Sequence, residues 1–199
     1  MISIFDYGAG NLRSVQNTLA EIGAPYKLID DAEGLRDATK IILPGVGHFG
    51  QLIRSIDAMR VREALLERIE AGVPFLGICL GMQALFGGSE EAPELQGLGV
   101  FPERITRFKG AARVPHMGWN ELDPRSGSRL LRDLDPKPYV YFAHSYFAPV
   151  IDATAASCTY SVPYTAALER RNIFGVQFHP EKSGPLGLKI VRNFVELEN

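Results

Sequence analysis

The chain has 199 residues, 46% of them hydrophobic and 22% charged, which suits one globular domain with a substantial core. A net charge of -2, from 21 basic and 23 acidic residues spread along the whole length, leaves no basic block for nucleic acid and no polybasic stretch for a membrane surface. The opening apolar run stops at Asp6 and nothing later reaches the roughly 18 apolar residues of a spanning helix, while two cysteines cannot form a disulfide framework, so a reducing cytoplasm is the expected setting.

Ile2-Ser3-Ile4-Phe5 is the first predicted strand. Leu12, Val15, Leu19 and Ile22 then recur at helical spacing until Gly23 stops them. Tyr26 to Ile29 and Lys40 to Leu43 read as further strands. The next segment, Leu43 to Gly50, spells G-x-G-x-x-G with Gly45, Gly47 and Gly50. That dinucleotide fingerprint belongs after a first strand, where this chain has Gly8-Ala9-Gly10 and then Arg13 in place of a third glycine. The segment reads better as a backbone loop whose amide, near Val46 or Gly47, helps to bind a developing oxyanion.

Val61, Leu65 and Ile69 mark one face of a helix ended by Gly72, and Pro74 to Ile78 is the strand after it. This βαβ alternation predicts a mainly parallel sheet with helices on both faces. From Val100 to Phe178, short β-like runs separated by turn signals at Asp123-Pro124, Ser126-Gly127 and Asp135-Pro136-Lys137-Pro138 predict added antiparallel strands. Leu186, Ile190, Phe194 and Leu197 mark a closing amphipathic helix. With no linker and no repeat, the expected architecture is one α/β domain over residues 1–199. Its mainly parallel central sheet is flanked by helices and carries additional antiparallel strands.

The strand ending at Ile78 runs into Gly77-Ile78-Cys79-Leu80-Gly81, a nucleophile elbow with cysteine in the serine position. Glycines two positions either side relieve crowding in a strained turn. A helix starting after the turn would aim its amide N–H groups at the sulfur and favour thiolate. Most free cysteines are inert core residues, and Cys158, in a strand-like context with no basic neighbour, is read as one. Cys79 is separated from that default by Phe178-His179-Pro180-Glu181, 100 residues on. A strand delivers His179, Pro180 stops the ladder, and Glu181 is placed on the same exposed turn to orient the imidazole. Cysteine, histidine and glutamate are the parts of a nucleophile, a base and its orienting acid, the chemistry of acyl transfer at a carbonyl. His48, His116 and His144 show no metal-ligand spacing with carboxylates or thiols, so no metal is expected.

Those elements make the chain resemble the class I, triad-type glutamine amidotransferases, on Pro44-Gly45-Val46-Gly47, Gly77 to Gln83 and Phe178 to Glu181. Within them it is similar to the branch that supplies glutaminase subunits to imidazole glycerol phosphate synthases. That likeness rests on Asp6 to Leu12, Pro115-His116-Met117-Gly118-Trp119-Asn120, Phe142-Ala143-His144-Ser145-Tyr146 and Lys182-Ser183. The resemblance implies that Cys79 attacks the side-chain amide of glutamine, forming a glutamyl thioester that water hydrolyses. It implies that His179, held by Glu181, moves the protons, and that the amides of Val46 and Leu80 bind the oxyanion. Gly47, Gln83, Ser145 and Tyr146 match glutamine-holding positions. It further implies no cofactor and a heterodimer with a (β/α)₈-barrel cyclase subunit that takes the ammonia through a channel, with Tyr7, Asn11, Trp119 and Lys182 at the interface. The rival readings are a glutaminase serving chorismate, nucleotide or pyridoxal phosphate synthesis, a binding module that has lost the chemistry, and a cysteine-dependent esterase or protease. Met82 argues against the chorismate type, which usually has histidine at that elbow position.

Overall fold

The computed structural model describes residues 1–9, 11–110 and 113–198, so Gly10 of the Gly8-Ala9-Gly10 reading lies outside the described residues. Strands β1 (Ile2–Phe5), β2 (Tyr26–Ile29), β3 (Ile41–Gly45) and β4 (Phe75–Cys79) pair in parallel in the order β2-β1-β3-β4. The inner strands read as near-continuous apolar runs because each is covered on both faces. In β3, Ile41 and Leu43 enter one core while Ile42 enters the other, and Phe75 and Leu76 of β4 divide the same way.

Helices α1 (Leu12–Ile22), α2 (Ala32–Arg36), α3 (Phe49–Ala58) and α4 (Arg62–Glu70) cover this sheet. Val15 and Leu19 of α1 fill one face, whereas Leu52, Ile53 and Ile56 of α3 and Leu65 of α4 fill the other. The periodicity reading contains neither α2 nor α3. Helix α2 is held by Asp31, whose carboxylate accepts from Gly34 N–H at 2.7 Å. Helix α3 starts inside the segment read as a loop, where His48 accepts from Gly50 N–H at 3.0 Å. Only Val46 to His48 remain as loop.

A single helical turn, α5 (Leu80–Gln83), follows β4. Then come β5 (Phe86–Ser89), β6 (Ala92–Gln96), β7 (Phe101–Arg107), β8 (His116–Glu121), β9 (Asp123–Pro124), β10 (Tyr139–His144) and β11 (Tyr146–Phe147). The last strands are β12 (Thr154–Tyr160), β13 (Val162–Arg170) and β14 (Ile173–Val176), and α6 (Gly184–Val195) closes the chain. Strand β14 lies parallel beside β4, and β13, β12 and β9 extend the sheet antiparallel to eight strands. Strands β8 and β10 form a separate antiparallel ribbon, and β11-β7-β5-β6 a small sheet.

Two expectations are corrected here. The added strands are not all antiparallel, because β5 pairs parallel with β7. Asp123-Pro124 is not a turn but the outermost strand of the large sheet, an edge position that tolerates a residue with no N–H to donate. Ile190 and Phe194 bury as the closing helix predicts, while Leu197 lies past its end. There Lys40 Nζ reaches the carbonyls of Val195 and Leu197 at 2.8 and 2.7 Å, satisfying acceptors that a helix terminus leaves unpaired. Among the described residues no helix is long and apolar enough to cross a membrane.

Candidate active site

Strand β4 ends at Cys79, whose φ of 53° and ψ of -107° place it outside the wells an L-residue favours. The flanking glycines make this turn possible by their lack of bulk. A Cβ on Gly77 would sit 2.6 Å from the carbonyl oxygen of Gly81, and one on Gly81 would sit 1.9 Å from that of Leu43. Gly45 does the same for the neighbouring strand, since its Cβ would lie 2.7 Å from Leu80 Cβ and from Gly81 N. The end of β3, which carries Val46, can therefore lie against Leu80 at the start of α5. That helix is one turn long, so the dipole expected to favour thiolate is confined to one turn.

The register Val176↔Ile78 carries the chain beyond β14 alongside Cys79. His179 is then tied down by its backbone, its N–H donating to Tyr141 O at 2.9 Å and its carbonyl accepting from Ser183 Oγ at 2.7 Å. Its Nδ1 lies 2.8 Å from Glu181 Oε1. A carboxylate oxygen only accepts, so Nδ1 carries hydrogen and Nε2 is left on the side of the cavity that Cys79 also lines. Glu181 Oε1 also accepts from Asn11 Nδ2 at 3.3 Å.

The His179 and Glu181 side chains are 4% and 3% exposed, not on an open turn as the sequence predicts. Strand β10 and α6 close against the 3-10 turn Pro180–Lys182 that carries them, a tertiary contact no local pattern signals. Burial by itself lowers the imidazole's proton affinity. Hydrogen bonds and charge attraction from Cys79 and Glu181 outweigh it and lift the His179 pKa to about 10. These contacts favour the protonated imidazole.

A cavity of about 300 Å³ opens at this point. It brings together Cys79, His179, Val46, Leu80, Gly47, Gln83, Ser145 and Tyr146, with Lys182 among the residues at its wall. Two groups do not stand as the sequence predicts. Val46 N–H, expected to face an oxyanion, donates to the hydroxyl of Tyr7 at 3.3 Å. Tyr7, expected at a partner surface, is 4% exposed, and its burial raises the phenol pKa. Asn11 is half-buried against Glu181. Trp119 is 57% exposed, and its ring meets that of Tyr141 edge-on at 6.2 Å, with Lys182 Nζ 5.9 Å from the centre of the Tyr141 ring. The sequence reading also misses Glu91, which lines the cavity while one carboxylate oxygen accepts from Phe49 N–H at 2.7 Å. It sits in the turn between β5 and β6, and nothing in the local pattern marks it.

Behind the cavity, His144 Nδ1 donates to Tyr146 O at 2.9 Å, and its Nε2 lies 3.3 Å from both His116 Nδ1 and Tyr164 Oη. Burial lowers the pKa of His116 to about 4 and of His144 to about 3, so both are neutral. Unfolded histidine titrates near 6.5, so below that pH the unfolded chain binds protons that the folded chain refuses. Stability from this pair is fully present above about pH 6.5 and falls as the pH drops toward 4, by up to about 1.4 kcal/mol per pH unit per histidine. Urea unfolding at pH 7 and pH 5 should show this loss, with a shallower pH slope in His144→Gln. Equal slopes in the two proteins would contradict it. Among the described residues, no group of three or more His, Cys, Asp or Glu is placed to hold a metal ion.

Comparison with known proteins places this geometry among relatives. The family described as glutamine amidotransferase class-I matches residues 3–197. The imidazole glycerol phosphate synthase subunit HisH of Methanothermobacter thermautotrophicus is 47% identical, over 99% of this chain and 98% of its own. The subunit of the same name from Deinococcus radiodurans is 44% identical, over 97% and 92%. A crystal structure of a glutamine amidotransferase superposes with a TM-score of 0.76 at 18% identity, covering 98% of this chain and 97% of that one, a likeness of fold.

Proposed function

The chain belongs to the class I glutamine amidotransferases, and on that premise we propose that it is the glutaminase subunit of an imidazole glycerol phosphate synthase in histidine biosynthesis. The observation that carries this reading is the shared cavity of Cys79 and His179, with Glu181 behind the imidazole.

In this account the Cys79 thiolate attacks the side-chain carbonyl carbon of glutamine. The carbonyl oxygen becomes an oxyanion near the amides of Leu80 and Val46, the latter once it leaves Tyr7. The His179 imidazolium gives its proton to the departing nitrogen, and ammonia leaves behind a glutamyl thioester. Esterified sulfur no longer carries the charge that lifts the His179 pKa, so the now neutral imidazole is suited to take a proton from water. Hydroxide attacks the thioester, and thiolate departs with glutamate as product. One glutamine and one water yield one glutamate and one ammonia.

Ammonia is mostly protonated in water at neutral pH, so delivery calls for a dry path and a partner at the cavity. Exposed Met117 and Lys182 border the cavity, and together with exposed Trp119 they form the proposed docking face for a (β/α)₈-barrel cyclase subunit, in the cytoplasm. The test is glutamine hydrolysis measured alone and with the cyclase holding its ligand. A rise with the liganded partner is expected, and equal rates would refute the coupling.

Glu91 is the acidic side chain lining the cavity beside Gly47, and it is the proposed counter-charge for the α-ammonium of glutamine. Glu91→Gln should raise KM for glutamine by about ten- to a hundredfold with kcat changed less than threefold, since a lost charge pair is worth roughly 1.5–3 kcal/mol. Steady-state kinetics in the complex reads this. An unchanged KM would remove Glu91 from the binding site.

A further inference from the structure

Cys79 has one more hydrogen-bond partner, which the reaction sequence above does not use. Gln177 is fully buried and stands two residues before His179, in the bend that follows β14. Its Nε2 lies 3.6 Å from Cys79 Sγ, within reach of a sulfur acceptor. The orientation of that amide follows from its neighbours. Gln177 Oε1 accepts from Gln83 Nε2 at 2.9 Å, which turns the NH₂ end of Gln177 toward the sulfur. Gln83 is fixed in turn, because its Nε2 also donates to Tyr146 O at 2.9 Å. His144 Nδ1 donates to that same carbonyl from the other side. Reversing Gln83 would set its oxygen against Tyr146 O and Gln177 Oε1, and reversing Gln177 would set NH₂ against NH₂ and oxygen against sulfur in a buried site.

We propose that Gln177 is the amide donor to the nucleophile, holding the Cys79 sulfur as thiolate toward the cavity, and that Gln83 is a positioning residue that aims it. A donor gains most when its acceptor is charged, so the N–H···S contact favours thiolate over thiol at the start of the cycle and favours the departing thiolate at its end. The inference rests on the thiolate chemistry proposed above. It also reassigns part of the role expected of Gln83, whose NH₂ group is committed to the protein and leaves Oε1 for substrate.

The test is the pH dependence of iodoacetamide alkylation of Cys79 in the full chain, which needs no glutamine turnover. Gln177→Met and Gln83→Met should each displace the acid limb of the profile upward by about one pH unit, equivalent to about tenfold slower alkylation on that limb, with the alkaline plateau unchanged. Gln177→Met should also lower kcat with little change in KM. Gln177→Asn keeps an amide but withdraws it from the sulfur, and it carries the same expectation if the methionine variant does not fold. An acid limb coincident with wild type in folded Gln177 variants that still hydrolyse glutamine through Cys79 overturns this inference alone. Loss of the glutaminase reading would show instead as a Cys79→Ala protein that still releases glutamate.

Discussion

Replacing Cys79 with alanine should lower glutamate release from glutamine by about 10⁴-fold or more, because no other group can form the thioester. The cavity, its walls and the rest of the polar chain stay in place, so the variant should still bind the cyclase. Imidazole-product formation by that complex, fed with ammonium salts, should continue. The other thiol offers no substitute: Cys158 is buried, and its burial pushes the pKa to about 11, where little thiolate exists at neutral pH. The measurement is paired glutamine-dependent and ammonia-dependent assays on one preparation. Glutamate release near the wild-type rate would exclude Cys79 as the nucleophile, and loss of both activities would point to a damaged complex instead.

The second large effect is structural. Gly81→Ala puts a methyl group where the backbone carbonyl of Leu43 already stands, 1.9 Å away, in the middle of the parallel sheet. Neither backbone segment can yield without parting β3 from α5. A loss of about 3 kcal/mol or more is expected, or failure to fold. Gly99→Ala is the control: its φ of 70° strains alanine, but nothing lies within 4 Å of the added atom, so the loss should be about 1 kcal/mol. Urea denaturation of both variants distinguishes the cases, and similar midpoints would mean that the elbow is looser than the structure shows.

What the sequence made legible follows from what each feature depends on. Strands β1, β3 and β4 are near-continuous apolar runs because each is buried on both faces, and that burial is written residue by residue. The elbow is readable because its glycines stand two positions either side of Cys79, although only the crowding at Gly77 is local and that at Gly81 comes from Leu43 on the neighbouring strand. Helix α3 carried a usable signal in Leu52, Ile53 and Ile56, which the glycines just before it obscured by inviting a loop reading. Other features depend on contacts distant in the chain. The parallel pairing of β5 with β7, the burial of His179 and Glu181 beneath β10 and α6, and the hold of Tyr7 on Val46 N–H join segments far apart in sequence. The cavity's acidic residue, Glu91, was missed for the same reason. Asp123-Pro124 was misread because proline marks both turns and sheet edges, and only the strand order tells which.

The sharpest test catches the acyl-enzyme itself. The chain, together with the cyclase and its ligand, is mixed with glutamine, acid-quenched within the first turnovers and digested for mass analysis. The account predicts a transient glutamyl adduct on the peptide bearing Cys79, absent in Cys79→Ala and removed by hydroxylamine. Steady glutamate production with Cys79 unmodified at every quench time, or an adduct on Cys158, would contradict it.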